Sequence, residues 1–254
     1  MAQTPRLPLC PLALGAVTLE PAAARYLMRV LRLGVGDRFE AFDPRTGARA
    51  EGSIVAFDRA VVQVQLQAID SPRASDAPVV LIQGYPKGDK LSGVVRDATE
   101  LGATLIVPAI CARSIARPDD AKLAARAQRL SAIAAEAARQ CGRARAPELL
   151  APMPWDDALE LAAALGARGL VAFERAQAPI GDAMLALARD EAARARGVAI
   201  AIGPEGGLTD DEVEHARARG FSICSLGATI LRTETAATAA LAAYFVIAAS
   251  SKRE

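Results

Sequence analysis

Much of what usually announces a function is scarce in this chain of 254 residues, and each scarcity excludes something. Histidine occurs once, at His215, beside Glu212 and Arg219 on the polar stripe of a helical stretch, so a surface histidine is expected rather than a catalytic base. The four cysteines, Cys10, Cys111, Cys141 and Cys224, lie far apart with no C-x-x-C pair. That argues against a zinc site and makes reduced cytoplasmic thiols the expectation. Aromatic residues are only 4%, and Trp155 and Tyr85 are too isolated to form a stacking platform for single-stranded RNA. Net charge is +1, so a nucleic-acid partner would need a local basic face. The glycine cluster at 203–207 lacks the G-x-G-x-x-G spacing, and no G-K-[ST] exists, which removes the ordinary dinucleotide and P-loop readings. Residues 7–19 resemble a signal-peptide core only superficially, because just Arg6 precedes them and Pro8 and Pro11 interrupt them. They read as a strand and turn. The run 236–249 is apolar nearly all round but too short for a membrane span. A helix that is buried, or packed on another subunit, is expected there.

What is present is a globular composition, 52% hydrophobic and 23% charged, with length for one large domain or two modest ones. Residues 1–72 show short alternating runs at 39–42, 50–57 and 61–66, separated by turn signals at 34–37 and 43–47. They predict a small antiparallel barrel or sandwich. A helix over 22–33 would carry Arg25, Arg29 and Arg32 on one face. A linker follows at 70–78. From 73 to 254 strands and helices alternate, with strands expected at 79–85, 104–107, 169–173, 198–202 and 221–225. The fold class is therefore α/β, a mostly parallel sheet covered on both faces. Between Arg113 and Arg145 eight basic residues oppose three acidic ones, which is either a nucleic-acid face or an ordinary solvated helix face.

The most informative segments are two strand-end loops. Gly203-Pro204-Glu205-Gly206-Gly207 ends the apolar strand 197–202 and leads into a helix capped by Thr209 and Glu212. Leu226-Gly227 to Leu231-Arg232-Thr233-Glu234 repeats the arrangement after strand 221–226. Two such loops at the carboxyl ends of parallel strands make a crevice for a ligand. Glu234 either caps the second helix with Thr233 or serves the crevice. A cation at Arg232, beside a helix N-terminus, is locally unfavourable and calls for an external anion such as phosphate or an ionised base. The segment Lys87-Gly88-Asp89-Lys90 reads, by itself, only as a strand-helix connection with charged ends.

Together GPEGGLTDDEV at 203–213, LGATILRTETAATAAL at 226–241, KGDKL at 87–91 with ATELG at 98–102, Gln140-Cys141-Gly142-Arg143, and RVLRLGVGD at 29–37 resemble the RsmE family of 16S rRNA uracil-N3 methyltransferases, within the SPOUT superfamily. The resemblance covers essentially the whole chain. It implies a PUA-like RNA-binding β-barrel followed by a SPOUT-type parallel sheet with a C-terminal trefoil knot, and a homodimer packed knot to knot through the apolar C-terminal helix. It implies S-adenosyl-L-methionine held by Phe173, Gly203, Pro204, Glu205, Gly206, Gly207, Leu226, Gly227, Ile230, Leu231 and Arg232, with no metal. It also implies 16S rRNA of the 30S subunit as partner, met by Arg25, Arg29, Arg32 and Arg143, in the cytoplasm. Arg232 would stabilise the developing uracil anion or its phosphate, and Glu234 would orient Arg232 or receive the N3 proton. The chain departs from the family at Arg96-Asp97, where Gln-Lys is usual, at Cys111-Ala112-Arg113, where Ser-Glu-Arg is usual, and at Arg139, where Glu is usual. A ribose 2′-O-methyltransferase and a non-catalytic RNA-binding assembly factor are the competing readings.

Overall fold

The computed structural model describes residues 4–9, 11–43, 48–58, 61–70, 77–115, 122–143 and 145–251. Most of the expected linker, the turn at 44–47, Cys10, and Arg117, Asp119 and Asp120 of the expected basic stretch lie outside these residues. The chain divides into two compact units, one drawn from 1–76 with 164–166, the other from 77–163 and 167–254.

The first unit is a five-stranded sheet in the order β1-β3-β4-β5-β2, with β1 at Arg6–Pro8, β2 at Gly15–Thr18, β3 at Arg38–Phe42, β4 at Arg49–Asp58 and β5 at Val61–Asp70. Alternation along β3 to β5 buries Phe39, Ala41, Ile54, Val62, Val64 and Leu66. The sheet is not wholly antiparallel as expected. β1 runs parallel to β3, with Arg6 opposite Glu40, and Pro8 is tolerated because β1 is an edge strand. The expected helix is also shorter. α1 spans Pro21–Arg25 and continues as a π-helical segment, Tyr26–Val30, in which the Leu31 amide donates to the Tyr26 carbonyl. Arg32 follows the helix with φ 56°, and the altered winding breaks the 3.6-residue period. Arg25, Arg29 and Arg32 therefore do not form a single helical stripe.

The second unit is a parallel sheet of seven strands, β12-β10-β11-β6-β7-β8, with short β9 beside β7. β6 is Val79–Gly84, β7 Leu105–Ile110, β8 Glu148–Leu149, β9 Met153–Pro154, β10 Arg168–Ala172, β11 Val198–Ile202 and β12 Ser222–Cys224. The helices are α2 (Lys90–Glu100), α3 (Leu123–Gln140), α4 (Trp155–Ala164), α5 (Ile180–Arg189), α6 (Glu191–Arg196), α7 (Asp210–Ala218) and α8 (Thr233–Ser251). All residues of β6 and β11 are buried, as the apolar runs 79–82 and 198–202 require when helices cover both faces. Leu81, Ile200 and Ile202 join Val94, Leu130, Met184 and Leu241 in one apolar core. Each such side chain removed from water contributes about 1.5–3 kcal/mol.

α8 is longer than the run 236–249 and is apolar and long enough, by composition and length, to cross a membrane. Its Ala237, Ala240 and Leu241 instead pack into the sheet's core, while Phe245 and Val246 face outward, 50% and 61% exposed. Arg143, expected on the RNA side, closes a helix end. Its guanidinium donates to the carbonyls of Thr99, in the last turn of α2, and Ala103, just beyond it, both at 2.7 Å. Arg126 lies over the Tyr85 ring at 5.0 Å, Arg129 pairs with Asp89, and Arg139 pairs with Glu136. Much of the expected basic face is thus engaged within the protein.

Candidate functional site

A cavity of about 520 Å³ opens at the carboxyl ends of β10, β11 and β12. That volume lies within the usual range of about 300–1,000 Å³ for small-molecule sites. Its walls contain every residue assigned by resemblance to the cofactor, from Phe173 through Gly203–Gly207, Leu226 and Gly227 to Ile230, Leu231 and Arg232. Lys90, Glu174, Ser225, Thr229 and Thr233 join them.

The backbone comes close here because side chains are missing where loops meet. A Cβ on Gly206 would lie 2.7 Å from the Arg113 carbonyl oxygen, and Gly207 has φ 72°. Beneath the loop, a Cβ on Gly84 would lie 2.4 Å from the Pro204 nitrogen, so the end of β6 directly supports the turn. Glu212 anchors the far side. It completes the capping box with Thr209, and its Oε1 accepts the Ala112 amide at 2.7 Å.

The loop that opens α8 is held by a different device. The Thr233 hydroxyl donates to the Gly203 carbonyl at 2.6 Å and accepts from Gln83 Nε2 at 2.8 Å. Thr233 therefore ties the two cavity loops together instead of capping its own helix with Glu234. Gln83 is completely buried, and its Oε1 has no partner among the described residues. The clue in the sequence was an amide inside the apolar run 79–85, since a buried polar group needs a hydrogen bond.

Charge at the rim is arranged around Lys90. Its ammonium is 3.1 Å from Glu205 Oε1 and 3.2 Å from Glu234 Oε2. The Lys87 amide donates to both Glu205 oxygens, at 3.1 and 3.3 Å. The hydrogen bonds to Glu205 and then Glu234 hold the Lys90 ammonium above its usual range. Burial pushes the Glu205 carboxyl up, but its backbone hydrogen bonds and Lys90 outweigh that, leaving it below the ordinary carboxylate value. Glu234 is outside the cavity wall and faces Lys90. Arg232, exposed on that wall, makes no side-chain hydrogen bond or ion pair among the described residues. The arrangement offers a backbone-lined pocket for a small molecule and an available guanidinium for an anion.

His215 lies on the surface and meets Asp156 at 3.1 Å, away from the cavity lining. No cluster of His, Cys, Asp and Glu suited to a metal ion occurs among the described residues.

A model of the RNA methyltransferase domain family matches residues 73–244, the segment that contains the whole cavity. The chain belongs to this RNA methyltransferase family. A relative, ribosomal RNA small subunit methyltransferase E of Synechocystis, is 36% identical over 229 residues, covering 90% of this chain and 72% of its own. The Bacillus subtilis protein of the same name is 30% identical over 223 residues, covering 86% and 85%. Among solved structures, ribosomal RNA small subunit methyltransferase E from Neisseria gonorrhoeae bound to S-adenosyl methionine is similar, with 27% identity and a TM-score of 0.56. The match covers 95% of this chain and 96% of that one. This RNA methyltransferase thus presents its two glycine and arginine loops inside the segment shared with the family.

Proposed function

We propose that this RNA methyltransferase transfers the methyl group of S-adenosylmethionine to N3 of a uridine in small-subunit ribosomal RNA. The observation that carries the reading is the cavity itself, in which the Gly203–Gly207 loop and the Leu226–Arg232 loop converge with Arg232 available at the wall. The relatives' names and the cofactor held by the similar Neisseria protein support it. The residues fit such a cofactor. Glycine backbone can approach its polar groups, and Phe173, Leu226 and Ile230 offer apolar contact.

When bound, the sulfonium supplies an already reactive methyl group. The chain's task is then to align the acceptor nitrogen with it and to exclude water. Arg232 stabilises the uracil anion, or its phosphate, as the N3 proton passes to solvent. The target base must be unpaired or flipped out to enter the cavity. Glu234 does not orient Arg232, because its carboxylate pairs with Lys90 and not with Arg232.

The same reading assigns RNA contact to the first unit as a PUA-like barrel, with exposed Arg29 and Arg32 as contacts, and gives the second unit a trefoil knot. It places the protein in the bacterial cytoplasm. Outward-facing Phe245 and Val246 support a second copy packed on α8.

The test is nucleoside mass spectrometry of 16S rRNA from a strain lacking the protein, before and after its 30S subunits are incubated with purified enzyme and S-adenosylmethionine. Loss and restoration of N3-methyluridine is the expected result. A 2′-O-methyl product, or no change in any nucleoside, refutes the assignment.

A further inference from the structure

Arg232 and Glu234 are opposite charges two residues apart, yet they do not pair. Glu234 is drawn to Lys90 at 3.2 Å, and the same ammonium holds Glu205 of the other cavity loop at 3.1 Å. Lys90 begins α2, just after the turn whose Lys87 amide also holds Glu205. One cation on the α2 side thus grips a carboxylate from each loop of the site. We propose that Lys90 is a positioning residue for methyl transfer, whose ammonium keeps Glu234 from neutralising Arg232 and keeps Glu205 docked on the Lys87 turn. This rests on the function proposed above.

The physical argument is a competition for one carboxylate. Without Lys90, Glu234 and Glu205 would lose their shared cation, and Arg232, two residues from Glu234 and with no side-chain partner among the described residues, would be open to pairing with it. An Arg232–Glu234 pair would lower the charge that Arg232 offers to a substrate anion. The groups that take part are Lys90, Glu205, Glu234 and Arg232, with Glu174 also lining the cavity. None of this requires Lys90 to touch the substrate.

The experiment compares the full-length wild type with Lys90→Met, Lys90→Arg and Lys90→Met/Glu234→Gln, by methylation of 30S subunits and by crystal structures without ligand. Lys90→Met should lower kcat about tenfold or more, whereas Lys90→Arg keeps most of it. Adding Glu234→Gln removes the freed carboxylate and should restore most of kcat. The weakened hold on Glu205, read as KM for S-adenosylmethionine, should remain unrestored. A merely structural role for Lys90 gives no such rescue, and a double variant as slow as the single one overturns the proposal. The crystal structure of Lys90→Met should show the Glu234 carboxylate within ion-pair distance of Arg232. A carboxylate that stays away from Arg232 overturns the proposal whatever the enzyme's activity. A wild type that methylates no rRNA, with Glu234 nevertheless moving onto Arg232 in the variant, refutes the proposed function but upholds the charge competition.

Discussion

Replacing Thr233 by valine should loosen the cavity from below while leaving its surface nearly unchanged. Valine fills almost the same volume, so no void is created. What disappears is one hydroxyl that accepts from Gln83 Nε2 and donates to the Gly203 carbonyl. Gln83 Nε2 retains a bond to the Gly84 carbonyl at 3.1 Å, so its loss is modest, about 1 kcal/mol. The Gly203 carbonyl loses its hydroxyl partner in a part-buried place, which costs about 1–3 kcal/mol more. The expected sum is about 2–4 kcal/mol. With a urea m-value of about 2–3 kcal/mol/M, the unfolding midpoint should fall by about 1 M. Trp155, the single tryptophan, is buried in the second unit, so its fluorescence follows that unit's unfolding. Titration calorimetry with S-adenosylmethionine should show weaker binding in the same variant, because Gly203 begins the loop proposed to hold the cofactor. A stability loss below about 0.5 kcal/mol with unchanged affinity would refute the reasoning, since Thr233 would then be tying nothing together.

Gly206→Ala should reduce affinity for S-adenosylmethionine at least tenfold by calorimetry, because the new Cβ cannot share space with the Arg113 backbone. Unchanged affinity would show that the loop yields freely. Arg232→Ala should lower kcat by about 10²-fold while leaving cofactor affinity within a few-fold; equal loss of both contradicts its role toward the substrate. Arg143→Ala should cost about 1–2 kcal/mol in urea unfolding, because the Ala103 carbonyl loses its guanidinium donor and the Thr99 carbonyl keeps only its backbone partner. Wild-type stability combined with weaker RNA binding would support it as an RNA contact instead. The Lys90 clamp also sets a pH window. The lysine's raised value makes its contribution complete below about pH 10, fading as pH climbs through the folded value. The lowered Glu205 value makes its contribution complete above about pH 5, fading as pH falls. Lys90→Met should therefore flatten part of the alkaline decline in urea midpoint, and an identical decline in both proteins would argue that the ion pair is not formed in solution.

The β11 strand at Val198–Ile202 was legible to the residue, because a five-residue apolar run bounded by Gly197 and Gly203 admits little else. The cavity loops were legible for the same reason. Glycines at a strand end and a capping box at Thr209 and Glu212 are local signals. The missed features are all non-local or depend on fine geometry. Strands β8 and β9 have two residues each and carry no period to read. The π-helical winding at Tyr26–Val30 depends on packing that propensity does not encode, and it undid the expected arginine stripe. Lys90 looked like an ordinary charged helix start because its partners are more than 100 residues away. Thr233 resembled a helix cap since local spacing cannot reveal that Gln83 lies beneath it.

The central position of β11 has a consequence for synthesis. It pairs with β10 on one side and β6 on the other, yet it is translated after both. Until Val198–Ile202 has left the ribosome, β6 and β10 each present a bare apolar edge to the cell, the condition under which strands join the wrong neighbour. Closing the sheet then means inserting a late strand between two earlier ones, a long-range step that makes folding slow. A nascent enzyme is most vulnerable over the stretch of translation between β10 and β11, and a slow codon there would lengthen its exposure.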